Sequence, residues 1–168
     1  MCNSLSLKQA TAFQLKILLN RSENTIDNLT IPDDEEVAPQ FLLEDAIEKL
    51  NHDCDNAFWL LPRLIIVGNA IVGTVSFKSL PEDEGSVEIG YGIISSQQRR
   101  GFVTKAVELF LKEALSTNKI QTVIAHTDLS NKASCRVLEK NGFIKVGSYI
   151  DPDDGEVWMW QKKISATD

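Results

Sequence analysis

The chain has 168 residues, 43% apolar and 24% charged, enough for one full-sized core and too few for two, so residues 1–168 read as a single domain. A net charge of −7 with no long run of Lys or Arg argues against a protein that tracks a nucleic-acid backbone. No apolar stretch nears the roughly 20 residues that cross a bilayer, and Met1-Cys2-Asn3-Ser4 has neither a basic region nor an apolar signal core, so a soluble cytoplasmic protein without a membrane partner is expected.

Leu5 to Gln9 alternates like a short strand, and Ala12 to Asn20 carries apolar residues at helical spacing. Ser22 to Glu36 is polar and acidic and reads as loop. A helix follows from about Pro39 to Leu50. Leu64 to Val67 and Ala70 to Lys78 are β-rich runs around Gly68-Asn69, the signature of a tight hairpin. Ser86 to Ile94 alternates as a strand, with Val87, Ile89, Tyr91 and Ile93 on one face and Glu88 on the other. Val103, Ala106, Val107, Phe110, Leu111 and Ala114 recur at steps of three and four, the strongest helical signal in the chain. Thr122 to Thr127 reads as a strand. Ala133 to Asn141 reads as a helix that Ser130 or Asn131 can cap and Gly142 can end. Phe143 to Ile150 and Glu156 to Lys162 close the chain as two strands. Elements that alternate only partly, with hairpins among them, predict an α+β or α/β fold with a mixed sheet.

Cys2, Cys54 and Cys135 are odd in number and widely spaced, and only His52 and His126 accompany them. Reduced thiols and no metal site are expected.

The segment that invites chemistry is Gln98-Arg99-Arg100-Gly101-Phe102-Val103-Thr104, a short turn between a strand and an amphipathic helix. Unpaired N–H groups and the macrodipole at such a helix start attract phosphate, and Gly101 lets the backbone approach a ligand closely. By itself the turn is also compatible with an ordinary connection, since it has neither P-loop nor dinucleotide-fingerprint spacing.

This segment resembles the Q/R-x-x-G-x-G/A phosphate-binding motif of the GNAT superfamily of N-acetyltransferases. Val87-Glu88-Ile89-Gly90-Tyr91-Gly92-Ile93 resembles that family's central strand. Asn131-Lys132-Ala133-Ser134 through Gly142-Phe143 is similar to the N-x-x-S-x-x-v-l-e-k-x-G-F helix of its ribosomal-protein N-terminal acetyltransferase-like branch. The resemblance runs from about Ala70 to Lys163. It implies a mixed, mostly antiparallel sheet of six to seven strands flanked by about four helices. It also implies acetyl-CoA as acyl donor, an amine acceptor such as a protein N-terminus or a small amine, and direct attack without an acyl-enzyme; it admits a homodimer and requires no metal or nucleic acid.

Carried over residue by residue, Gln98 to Thr104 would cradle the pyrophosphate, the backbone of Ile93, Ile94 and Ser95 would pair with the pantetheine arm, and Asn131 would bond the arm or simply cap its helix. Ser134 would protonate the leaving thiolate, or else serve only as a first-turn capping group. Glu88 would be the general base or orient a water, or else be a solvated strand residue. The demand on a base depends on the acceptor: at pH 7 a lysine-type amine is about one part in a thousand neutral, and an α-amine roughly a tenth. His126 reads as structural or exposed, and Tyr91, Tyr149, Trp158 and Trp160 as core or acceptor-pocket wall.

The motif is imperfect in two places. Val103 stands where Gly or Ala is usual, with a branched side chain that can crowd the turn and weaken CoA binding. Leu138 stands where many relatives carry a Tyr acid. These departures keep open a non-catalytic acyl-CoA-binding sensor, and the basic turn alone leaves a nucleotide-binding regulator as a remoter reading.

Overall fold

The computed structural model describes residues 4–164; Cys54 and Cys135 are free thiols, and Cys2 lies outside the described residues. The chain opens with β1 (Leu5–Gln9) and α1 (Ala12–Asn20). A reciprocal capping box starts α1: the Gln14 N–H donates to the Thr11 hydroxyl at 3.2 Å, and the Thr11 N–H donates to the Gln14 side chain at 2.9 Å.

The stretch expected to be loop contains a minimal hairpin, β2 (Thr25–Ile26) and β3 (Leu29–Thr30). Its turn residues Asp27 and Asn28 have φ of 52° and 64°, a region Asp and Asn enter more readily than other side chains. Strands of two residues carry no readable alternation. After α2 (Gln40–His52) come a 3-10 turn, Cys54–Asn56, and the single-turn helix α3 (Ala57–Leu60), both too short for periodicity to reveal.

The hairpin forms as expected from β4 (Arg63–Val67) and β5 (Ala70–Phe77), and β6 (Ser86–Ile93) joins β5 antiparallel. Every residue of β4 is buried, as in a strand covered on both faces. Gly73 is a close-approach position, since an added Cβ would lie 2.2 Å from the Gly92 carbonyl oxygen on β6. Next comes α4 (Phe102–Ser116), which buries Ala106, Val107, Phe110 and Ala114. The Phe110 ring centroid lies 4.4 Å from that of Phe77, and Trp59 packs against Phe77 at 4.8 Å, so α4, β5 and α3 share one core. Truncating Phe110 to Ala should cost about 3–5 kcal/mol. Then follow β7 (Thr122–Asp128), α5 (Lys132–Lys140), β8 (Ile144–Asp151) and β9 (Gly155–Lys163).

The main path of the sheet is β1-β4-β5-β6-β7-β9-β8, seven strands, with β2 and β3 attached beside β5 through Thr30 and Ala70. Along this path only β6 and β7 run parallel, and they pair over only Ser86↔Thr122, Val87↔Val123 and Glu88↔Ile124. Beyond Glu88, β6 stays with β5 and β7 stays with β9, so the two strands part and leave a fork in the middle of the sheet. Among the described residues no helix is long and apolar enough to cross a membrane.

Candidate active site

The fork exposes one edge of β6. The Lys78 N–H donates to the Glu88 carbonyl and the Ile94 N–H to the Val72 carbonyl, each at 2.9 Å, so even-numbered residues of β6 bond to β5. Alternation then turns the backbone groups of Ile89, Tyr91 and Ile93 toward the fork, where an extended ligand can pair as an added strand. Ile93, one of the residues expected to contact a pantetheine arm, lies on this edge and lines the cleft. Ile94 and Ser95 do neither: the Ile94 carbonyl accepts from the Gln97 N–H at 3.1 Å, and the Ser95 carbonyl accepts from the Gln98 N–H at 3.2 Å. These bonds fold Ser95–Gln97 into a 3-10 turn that leaves the edge. Tyr91 takes the place Ile94 was expected to have.

The turn that follows presents free backbone N–H groups. Arg99 and Gly101 both adopt left-handed conformations, with φ of 61° and 78°. The first main-chain bond of α4 is donated by Lys105 to the Gly101 carbonyl, and among the described residues the N–H groups from Arg99 to Thr104 have no protein acceptor. The first turn of α4 carries no acidic residue, so its dipole is not offset. Glu35, from the acidic segment before α2, accepts from the Ser96 N–H at 3.0 Å and from the Ser96 hydroxyl, and pins this turn from outside.

Fork and turn open into one cleft of about 910 Å³. Gln98, Arg99, Gly101, Phe102, Val103 and Thr104 line it, as does Gln97, whose side chain accepts from the guanidinium of Arg100, a residue outside the lining. Val103 lines the cleft and also packs on the core. Four lining residues that sequence reasoning missed, Ala133, Arg136, Val137 and Lys140, come from α5, where their spacing reads as an ordinary amphipathic surface. No lining residue is acidic, and Arg99, Arg136 and Lys140 are cationic, in a chain of net charge −7. A second cavity, beside Leu18, Arg21 and Leu43, holds only about 60 Å³, too little for a cofactor.

The far wall is the start of α5. The Asn131 side chain caps it by accepting from the Ser134 N–H at 3.0 Å. Ser134 lines the cleft half-buried, with its side chain beside the Tyr91 phenol. The Tyr91 hydroxyl donates to the Ser134 carbonyl at 3.3 Å, and burial pushes the Tyr91 phenol well above its usual pKa, so it stays a neutral donor. Leu138 is fully buried and cannot reach the cleft. Asn141, another residue the sequence did not single out, donates from its side-chain amide to the carbonyls of Thr104 at 3.2 Å and Val137 at 2.9 Å, tying the end of α5 to the start of α4.

Glu88 is not part of this lining. It is the last residue of β6 paired with β7 and points from the opposite face of the sheet to Tyr91, at the apex of the fork. Its Oε1 is buried; Lys78 Nζ lies 2.5 Å from it and His126 Nδ1 2.9 Å, neither with hydrogen-bond angles. His126 thus belongs to the Glu88 cluster rather than to a bare strand surface. Tyr149 packs edge-on against its ring at 4.9 Å and donates its hydroxyl to Asp151 at 2.9 Å. Partial loss of water and the neighbouring Asp151 carboxylate push the Tyr149 phenol up to about 12.

The sheet parts beside a helix start rich in free N–H groups. Residues 15–144 match the family model for the acetyltransferase (GNAT) domain, and the chain belongs to that family. It is similar to the uncharacterized N-acetyltransferase YjdG of Bacillus subtilis (strain 168), 34% identical over 74 residues, 44% of each chain. The chain spans a little under half the length of the curated relatives it matches. Among solved structures its fold resembles ribosomal-protein-S5-alanine acetyltransferase from Vibrio fischeri, with TM-score 0.72, 16% identity, and coverage of 96% of this chain and 94% of that one. It likewise resembles RimL, a ribosomal L7/L12 alpha-N-protein acetyltransferase, in complex with coenzyme A, with TM-score 0.69, 21% identity, and coverage of 97% and 96%.

Proposed function

We propose that the protein, acting as one catalytic domain in the cytoplasm, transfers the acetyl group of acetyl-CoA to a primary amine by direct attack in a ternary complex. The observation that carries this reading is the cleft: free N–H groups from Arg99 to Thr104, three cationic side chains and no carboxylate converge on it in an otherwise acidic molecule. That donor set suits a pyrophosphate. The free edge at Tyr91 and Ile93 suits the amide-bearing pantetheine arm, which would lead the thioester toward Ser134.

In the reaction the acceptor nitrogen gives up a proton, bonds to the acetyl carbon, and the carbon–sulfur bond breaks. Glu88, with His126 beside it, receives the nitrogen's proton directly or through water, and Ser134 supplies or relays a proton to the departing sulfur. An acceptor of low basicity asks least of such a base, which favours a protein N-terminus or a comparable small amine over a lysine side chain. The names of similar structures include an alpha-N-protein acetyltransferase and a spermidine N-acetyltransferase, in keeping with a protein N-terminus or a small amine as acceptor.

Calorimetry with acetyl-CoA, followed by thiol-release assays on a peptide with a free α-amine, a polyamine and an amino sugar, tests the reading. Stoichiometric binding and turnover of at least one amine are expected. Absence of binding would overturn it, and binding without turnover of any amine would make the chain an acyl-CoA sensor.

A further inference from the structure

Lys78 sits beside Glu88, the carboxylate proposed above as the base. Its ammonium lies 2.5 Å from Glu88 Oε1, the oxygen that His126 also approaches. Lys78 pairs with Glu88 across β5 and β6, its N–H donating to the Glu88 carbonyl. Its side chain then passes over Gly90, where an ideal Cβ would sit 3.5 Å from Lys78 Cε. Any longer side chain at position 90 would fill that lane. The contact with Glu88 is close but lacks hydrogen-bond angles, and the lysine side chain is half exposed while the carboxylate oxygen is buried. The ion pair therefore holds the lysine by charge, with its stem lying along β6 over Gly90. Tyr91, where the cleft begins, is one residue beyond Gly90 and about 10 Å from Glu88 along the strand, with the open fork between the two faces.

We infer that Lys78 is an intramolecular acceptor, so that the protein acetylates itself at this residue when it holds acetyl-CoA and no external amine. The inference rests on the acetyl-CoA reading above. In the step, the Lys78 ammonium passes one proton to Glu88 and its nitrogen bonds to the acetyl carbon. The carbon–sulfur bond breaks with its electron pair going to sulfur, and the second nitrogen proton ends on that sulfur as free CoA thiol. Glu88 returns its proton to water, so one proton is released per acetyl group. The product is a neutral amide that no longer pairs with Glu88, which frees the carboxylate for an external acceptor.

Two other lysines serve as internal references. Lys8 sits on Asp27 at 2.8 Å and Lys112 on Glu108 at 2.9 Å, with comparable exposure, but Lys8 lies on β1 at the far edge of the sheet and Lys112 faces no strand edge on α4. Incubating the full chain with acetyl-CoA alone and following peptide masses should show Lys78 acetylated about 100-fold faster than either reference, the gain expected of a positioned base. The rate should be independent of protein concentration, and Glu88→Gln should bring Lys78 down to the reference rate. Modification of Lys78 no faster than Lys8 and Lys112, in a protein that binds acetyl-CoA and acetylates an external amine, would overturn this inference alone. Failure to bind acetyl-CoA would overturn the underlying reading with it.

Discussion

The side-chain amide of Asn141 donates to the carbonyl of Thr104 at 3.2 Å, joining the last turn region of α5 to the first turn of α4 across 37 residues of chain. The two helices form opposite walls of the cleft, so this contact sets its width. Asn141→Ala removes that bond and the one to Val137 and should cost about 1–3 kcal/mol of stability. The melting temperature should fall, and acetyl-CoA should bind more weakly even though Asn141 does not line the cleft. Unchanged affinity in a destabilised variant would confine Asn141 to a packing role.

Gly101 has open space around its missing Cβ, so its requirement is conformational and comes from its φ of 78°. Forcing a β-branched residue into the left-handed region costs about 1–2 kcal/mol or shifts the turn. Gly101→Val should therefore lose acetyl-CoA affinity, while Gly101→Asn, which enters that region more easily, should keep more of it. Calorimetry on the pair decides the matter, and normal binding by Gly101→Val would contradict the cradle.

Ser134→Ala removes one half-buried hydroxyl at the cleft wall, so folding stability should stay within about 1 kcal/mol of the parent. Loss of a proton donor to the leaving sulfur should lower turnover by about 100-fold with little change in acetyl-CoA affinity. An unchanged rate would remove Ser134 from the chemistry.

Glu35 anchors Ser96, and the Ser96 hydroxyl, then its N–H, holds the Glu35 carboxyl below the usual carboxylate range. Because the folded pKa is the lower one, the anchor stabilises the native state above the unfolded value of about 4.5 and is lost as pH falls through the folded value. The difference in urea midpoint between the parent and Glu35→Gln should be largest at neutral pH and shrink below about pH 4. A gap that is constant with pH would mean that the carboxylate charge plays no part.

Most of the frame is legible in the sequence because its signals are long or chemically distinctive. Gly68-Asn69 announces a hairpin, the α4 face repeats over four turns, and Asn131 and Gly142 bracket α5 with residues suited to a cap and to φ of 78°. Arg63 shows where pattern reading stops. A charged residue beside Leu64 reads as lying outside the strand, yet it is 1% exposed, with its guanidinium donating to Glu113 at 2.9 Å and to the carbonyls of Phe58 and Leu61. Those partners lie on α3, the following turn and α4, and local sequence does not name them. The site divides similarly. The turn and Ser134 follow from motifs, whereas Arg136 and Lys140 in the lining, Asn141 behind it, and the meeting of Lys78, Glu88 and His126 depend on where β6 leaves β7. Val103, the residue expected to crowd the turn, lines the cleft and packs against the core.

The three residue pairs between β6 and β7 carry a mechanical implication. They are the seam between a four-strand plate, β1-β4-β5-β6, and a three-strand plate, β7-β9-β8, and the plates have few other backbone ties. A ligand strand lying in the fork would act as a splint across that seam, lengthening the ladder where it is shortest. Occupancy of the cleft would then be felt as stiffness throughout the sheet, with amides of β7 and the distal half of β6 exchanging more slowly than those of the hairpin β4–β5, which is already buried on both sides.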